Sequence, residues 1–156
     1  MERPLTLPLA VSSGDPAGIG PEIIGKSWER RDQEKLPPFF AIGDIGSFAP
    51  HWSGPTRRIS DPSEAESVFD DALPVMHIHD CVNVVPGNPD LDGAHCAYQA
   101  LEIAVGFART NVAAGLVTGP VSKSQLYAVG FTHPGQTEFI AERCGVSRNH
   151  AIMMLA

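Results

Sequence analysis

Two kinds of apolar pattern run along this chain. Short continuous apolar stretches are bounded by glycine and proline, and longer stretches carry apolar residues at intervals of three and four. The first kind predicts strands buried on both faces, the second amphipathic helices. Residues 5–12 predict a first strand, followed by a glycine-rich turn over 14–22. A helix then runs from Pro21 to about Arg31, proline being at home in the first helical turn. After a break at 35–38, residues 39–42 predict a second strand, and Gly43-Asp44 begins a turn or short helix. Residues 51–66, rich in Pro, Ser and Arg, read as irregular, with a brief strand near Arg58-Ile59, and 74–79 as another strand. Beyond a turn at 86–89, a helix starts at Asp90 or Asp92. Its apolar stripe is Ala94, Tyr98, Leu101, Val105 and Ala108; acids open it and Arg109 closes it, as the macrodipole favours. That helix reads as packing.

Residues 113–117 predict a strand ending at Thr118 and broken by Gly119-Pro120. Ser122 then caps a short helix, with Gln125 completing a capping box, and Gly130 stops it. A polar loop over 132–137 leads to a second helix that Gly145 ends. A strand emptying into small polar residues, Lys123 and a helix N-terminus is the anatomy of an anion site in an open α/β sheet. An ordinary βα turn with a solvated lysine fits the same pattern. The run at 150–156 predicts a central strand buried on both faces, and a chain stopping there is expected to be part of a longer one. The expected architecture is α/β, one unit over 1–156.

Composition narrows the function. A length of 156 residues fits one domain, and a net charge of −7 with no basic tract argues against nucleic acid. No segment is long and apolar enough for a membrane span or a signal peptide. Cys81, Cys96 and Cys144, an odd set without close spacing, read as reduced thiols of a cytoplasmic protein. Fifteen glycines and fourteen prolines, with no repeat to absorb them, must serve turns and close backbone approaches.

Two local patterns suggest other chemistry. Residues 20–27 satisfy G-x-x-x-x-G-K-[ST], which makes a P-loop-like nucleotide-binding module the alternative reading. Physical chemistry opposes it: the preceding strand ends too early, Pro21 donates no N–H, and Glu22 sets a carboxylate beside the phosphates. The strand ends near Asp44 and Asp80 do imitate the acidic strand that such an enzyme needs. His77 and His79, with Asp80 and Cys81, look like metal ligands on one strand face. A site needs three or four convergent ligands, and His95-Cys96 lies too far along the sequence to be assumed to return. No metal ligand is therefore assigned.

Two longer passages carry a family resemblance. Gly14-Asp-Pro-Ala-Gly-Ile-Gly-Pro-Glu22 is one; Thr118-Gly-Pro-Val-Ser-Lys123 followed by Gly135-Gln-Thr-Glu-Phe139 is the other. With the spacing between them and the closing Met153-Met154-Leu155-Ala156, they resemble the 4-hydroxythreonine-4-phosphate dehydrogenase family of vitamin B6 biosynthesis, over about the first half of a member. The resemblance implies an α/β three-layer open sheet similar to isocitrate and isopropylmalate dehydrogenases, present here as a partial fold. It implies a homodimer with the active site at the interface, NAD or NADP, and a divalent metal (zinc, magnesium or cobalt) that polarises the alcohol oxygen. The implied reaction oxidises 4-phosphooxy-L-threonine to a 3-oxo acid, which decarboxylates to 3-amino-2-oxopropyl phosphate. The family's metal-binding histidines, its substrate-binding lysine, asparagine and arginine, and most of its cofactor site are expected beyond Ala156. Its substrate-contacting His-Thr pair falls at Gln136-Thr137, with glutamine in place of histidine. Gln136 and Thr137 are thus the expected substrate contacts, Thr137 also suiting a helix cap, and the substrate stays open to phospho-threonate or a cyclic diol, on which related enzymes act.

Overall fold

Five short strands carry the fold in this computed structural model, which describes residues 7–81 and 83–155. Leu9–Ser12 (β1), Phe39–Gly43 (β2), Thr56–Ile59 (β3), Leu73–His77 (β4) and Gly115–Thr118 (β5) form one sheet in the order β3-β4-β2-β1-β5. Every pairing is parallel, so each connection must cross a face of the sheet. Three of the four crossings are made by Gly20–Glu29 (α1), Ala65–Phe69 (α2) and Leu91–Arg109 (α3), and the one from β2 to β3 by residues 44–55; Lys123–Ala128 (α4) and Gln136–Arg143 (α5) follow β5.

Side-chain alternation along the strands assigns the two faces. Val11, Phe39, Ala41, Leu73 and Val75 pack with Ile24 and Trp28 of α1. Their neighbours Ala10, Phe40 and Ile42 pack with Ala100 and Ala104 of α3. Helix, sheet and helix therefore make three layers. The flank of α3 that carries Leu101 and Val105 holds Leu126, Phe131 and Phe139, which seats α4 and α5. β2, the middle strand, is buried at all positions, as its unbroken apolar run predicts.

The long helix begins where expected. The Asp90 side chain accepts from Gly93 N at 2.8 Å, a cap typically worth about 1 kcal/mol. Asp44 likewise caps a 3-10 turn at Ile45–Ser47, and Gly130 and Gly145 adopt positive φ where their helices stop.

Other expectations are corrected. Residues 62–69, read as irregular or left unassigned, form the 3-10 turn Pro62–Glu64 and then α2, opened by a capping box between Asp61 and Glu64. β4 ends at His77 rather than residue 79. Ser122 precedes α4 but makes no side-chain cap; its hydroxyl lies 3.4 Å from that of Ser124 instead. The terminal run is not a strand: after a 3-10 turn at Arg148–His150, residues 151–155 are irregular, and Met154 is 89% and Leu155 92% exposed. An apolar run becomes a buried strand only beside a partner with free ladder groups, and this run pairs with none of the described strands. Residues 5, 6 and 156, included in the predicted first and last strands, lie outside the described residues.

Candidate functional site

From β1 the chain moves to β2 on one side, whereas β5 lies on the other. The carboxyl ends of β1 and β5 therefore mark a switch point, where open α/β sheets form a crevice. Main chain closes tightly on main chain there. Gly119 N donates to Ser12 O at 2.7 Å, and Asp15 N to Pro120 O at 3.0 Å. A Cβ on Gly14, whose φ is +74°, would fall 2.2 Å from Pro120 O, and one on Gly119 would fall 2.6 Å from Ser13 O. The glycines of both recognised passages are needed for this approach.

The two expected substrate contacts open α5 beside that seam. Gly135, in extended conformation, is the N-cap residue. Thr137 therefore sits in the first helical turn and is not the cap that the sequence suggested. Gln136 is turned inward, its Nε2 donating to Gly119 O at 3.2 Å. Its Oε1 is buried without a partner. The amide orientation follows from the carbonyl it meets, since Oε1 in that place would set two acceptors together. Gln136 and Thr137 line a cleft of about 510 Å³ with Thr118, Lys123, Glu138 and Met153. The lysine flagged at the strand end thus shares their cleft. Behind it, Arg143 holds α5 to α3 through Glu102, which accepts from Nε at 3.0 Å and from Nη2, and His133 Nε2 meets Glu142 Oε2 at 2.9 Å.

Sequence reasoning assigned no role to Asp15, which is 3% exposed at the same seam. Its Oδ1 accepts from Ala17 N at 2.9 Å while Oδ2 has no partner. Burial, with a smaller contribution from the charge of Asp90, raises its pKa above the ordinary value of 3.8, against the lowering effect of the Ala17 hydrogen bond. The signal lay in the quoted Gly14-Asp15-Pro16 turn: an acid directly after a buried strand.

His77 and His79 do not share a strand face, because β4 ends between them. His77 Nδ1 accepts from Ile45 N at 3.2 Å, and its Nε2 meets Asp80 Oδ1 at 3.0 Å. His79 Nε2 turns to Asp92 Oδ1, 2.7 Å away. Nearby, a hydrogen bond with the Cys96 thiol, then burial, and lastly the charges of Asp44 and Asp92 drive the Cys81 thiol far above its usual range. Cys96 does return.

The G-x-x-x-x-G-K-[ST] match is a stretch of helix. Residues 20–27 lie inside α1, and Lys26 pairs with Glu22 one turn earlier. Its glycines have packing reasons: a Cβ on Gly20 would lie 2.1 Å from Ser13 O, and one on Gly25 2.3 Å from the Trp52 ring. A helix has no ring of inward-facing N–H groups in which to cradle phosphates, so the nucleotide-binding alternative is set aside. Among the described residues, no helix is long and apolar enough to cross a membrane.

Comparison with known proteins agrees with this fold. A 4-hydroxythreonine-4-phosphate dehydrogenase of Zymomonas mobilis is 52% identical over 149 residues, covering 96% of this chain and 44% of its own length. One from Erythrobacter litoralis is 47% identical, covering 96% of this chain and 46% of its own. The crystal structure of a 4-hydroxythreonine-4-phosphate dehydrogenase from Burkholderia phymatum superposes with a TM-score of 0.79 at 26% identity, over 93% of this chain and 46% of that one. The chain thus spans somewhat less than half the length of these relatives. The family described as "Pyridoxal phosphate biosynthetic protein PdxA" matches residues 42–156, a span holding β3 through α5 with Gln136 and Thr137, and it is to this family that the chain belongs.

Proposed function

We propose that this chain is the amino-terminal, substrate-contacting part of a dehydrogenase that oxidises 4-phosphooxy-L-threonine in pyridoxal phosphate biosynthesis. The reading rests on one observation: relatives named for that activity match 96% of the chain at 52% and 47% identity. The secondary alcohol loses a hydride and a proton, and the 3-oxo acid so formed decarboxylates to 3-amino-2-oxopropyl phosphate. NAD or NADP, when bound, takes up the hydride. The enzyme works as a homodimer whose active site lies at the subunit interface.

The cleft donors are an amide, hydroxyls, an ammonium and the one carboxylate of Glu138. That set does not fit a divalent metal, which needs three or more convergent anionic or imidazole ligands in a closed protein site. In this reading the metal ligands and most of the cofactor site follow Ala156, and no step is assigned to a metal here. The chain's own part is to hold substrate. Gln136 Oε1, buried and unpaired, costs about 1–3 kcal/mol as it stands. A substrate hydroxyl or ammonium that donates to it, after a small amide rotation, recovers that cost, while the Thr137 hydroxyl and Lys123 bind oxygen-rich groups across the cleft.

Steady-state kinetics of the complete enzyme test this. Gln136→Ala and Thr137→Val each raise KM, about tenfold for every 1.4 kcal/mol of lost contact. Thr137→Val leaves the melting temperature nearly unchanged, because Gly135 rather than Thr137 is the N-cap residue. Unaltered kinetics would return both residues to the scaffold. Oxidation of phospho-threonate or a cyclic cis-diol, with no turnover of 4-phosphooxy-L-threonine, would reassign the substrate.

A further inference from the structure

The chain leaving β4 at His77 runs beside the first turns of α3. Donor atoms of His79, Cys81 and Asp92 come within 4.8 Å of one another there. Asp92 and Cys96, four residues apart, share a face of α3; the Cys96 thiol stands beside that of Cys81, outside the set of three. Cys96 is 1% exposed, whereas the other three residues are half-buried. The cluster therefore has a closed floor and an open mouth. We propose that His79, Cys81, Asp92 and Cys96 bind one thiophilic divalent cation, with zinc the best fit.

The donor chemistry carries the choice of ion. One imidazole, two thiols and one carboxylate are four zinc donors, enough for a tetrahedral site. Sulfur ligands disfavour magnesium and calcium, which take oxygen. On binding, two S–H bonds break and two metal–sulfur bonds form, with two protons released to solvent. The imidazole of His79 and the carboxylate of Asp92, now joined by a hydrogen bond, become adjacent ligands. The neighbouring set of Asp44, His77 and Asp80 offers no thiol; there His77 is bonded at both ring nitrogens, and Asp44 accepts from Gly46 N at 2.8 Å and Cys81 N at 3.3 Å.

The purified chain, reduced so that its three cysteines are free thiols, is titrated with Co²⁺ and then Zn²⁺. One equivalent of Co²⁺ is expected to give thiolate-to-metal charge-transfer absorption and the visible bands of tetrahedral cobalt. One equivalent of Zn²⁺ abolishes them. Cys81→Ser and Cys96→Ser each weaken Zn²⁺ binding roughly a hundredfold or more, whereas Cys144→Ser, on an exposed residue, leaves it unchanged. Circular dichroism checks the fold of each variant. His79→Gln, which keeps both thiols, is an independent arm: the charge-transfer band remains and Zn²⁺ affinity falls. Folded, reduced wild type without cobalt–thiolate absorption overturns the site, as does a Zn²⁺ affinity that neither cysteine substitution nor His79→Gln moves.

Discussion

Gln136 Nε2 donates to the carbonyl oxygen of Gly119 across 3.2 Å, which fastens the first turn of α5 to the end of β5. The residue is both an anchor and a wall of the cleft, and its amide does not titrate. A histidine in its place adds a group that does. Gln136→His in the complete enzyme is therefore expected to give KM an inflection near pH ~6.5, the ordinary imidazole value. Residue 136 is expected to add no such inflection in the wild type. Superimposable profiles from pH-dependent kinetics would remove residue 136 from substrate contact.

Asp15 sets a second pH dependence, in stability. Its folded pKa is raised above 3.8 by burial, so the folded state binds its proton more tightly than the unfolded state does. That contribution is fully present below the unfolded value and is lost as pH rises through the folded one. Asp15→Asn keeps an oxygen for Ala17 N and stays neutral throughout. Melting temperatures taken from about pH 4 to pH 8 should show the variant gaining on wild type as pH rises, then holding a constant lead. A difference that shrinks with pH would contradict the assignment.

The strand-end seam predicts unequal costs at two glycines of positive φ. Gly130, at +93°, has nothing within 4 Å of an added Cβ, whereas Gly14, at +74°, meets Pro120 O at 2.2 Å. Gly130→Ala costs the backbone strain alone, about 1–3 kcal/mol. Gly14→Ala adds a steric clash that only a shift of main chain relieves, and its loss is larger by chemical denaturation. Equal losses would mean that the seam yields easily.

Lys26 is an exposed partner of Glu22 within α1. Titration with ATP and magnesium is expected to show no saturable micromolar binding, either to wild type or to Lys26→Ala. The melting temperature of the variant stays close to wild type. Tight binding that the substitution removes would restore the phosphate-loop reading.

Much of the fold was legible because its signals are local. The apolar pentad of β2, the Asp90 cap with the α3 stripe, and the stops at Gly130 and Gly145 each declare themselves within a few residues. α2 escapes a sequence reading although the capping box of the 3-10 turn leading into it, Asp61-Pro62-Ser63-Glu64, is visible: the surrounding Pro, Ser and Arg outweigh so short a helix. The terminal run was misread because strand pairing is a tertiary property. At the cleft, Gln136 and Thr137 were found by resemblance, but the inward turn of the Gln136 amide depends on where β5 ends. Cys81 and Cys96 meet only because α3 starts beside the end of β4, and no spacing rule in the sequence states that.

Where Gly14 and Gly119 lie against Pro120 and Ser13, peptide rests on peptide with no side chain between. Protein lineages usually diverge by exchanging side chains at such joints, each exchange shifting the partners by a fraction of an ångström. This joint offers nothing to exchange. Variation at this end of the sheet falls on residues mounted on the joint, and Gln136, bonded to Gly119 O, is one: its side chain can be exchanged while the platform beneath keeps its shape.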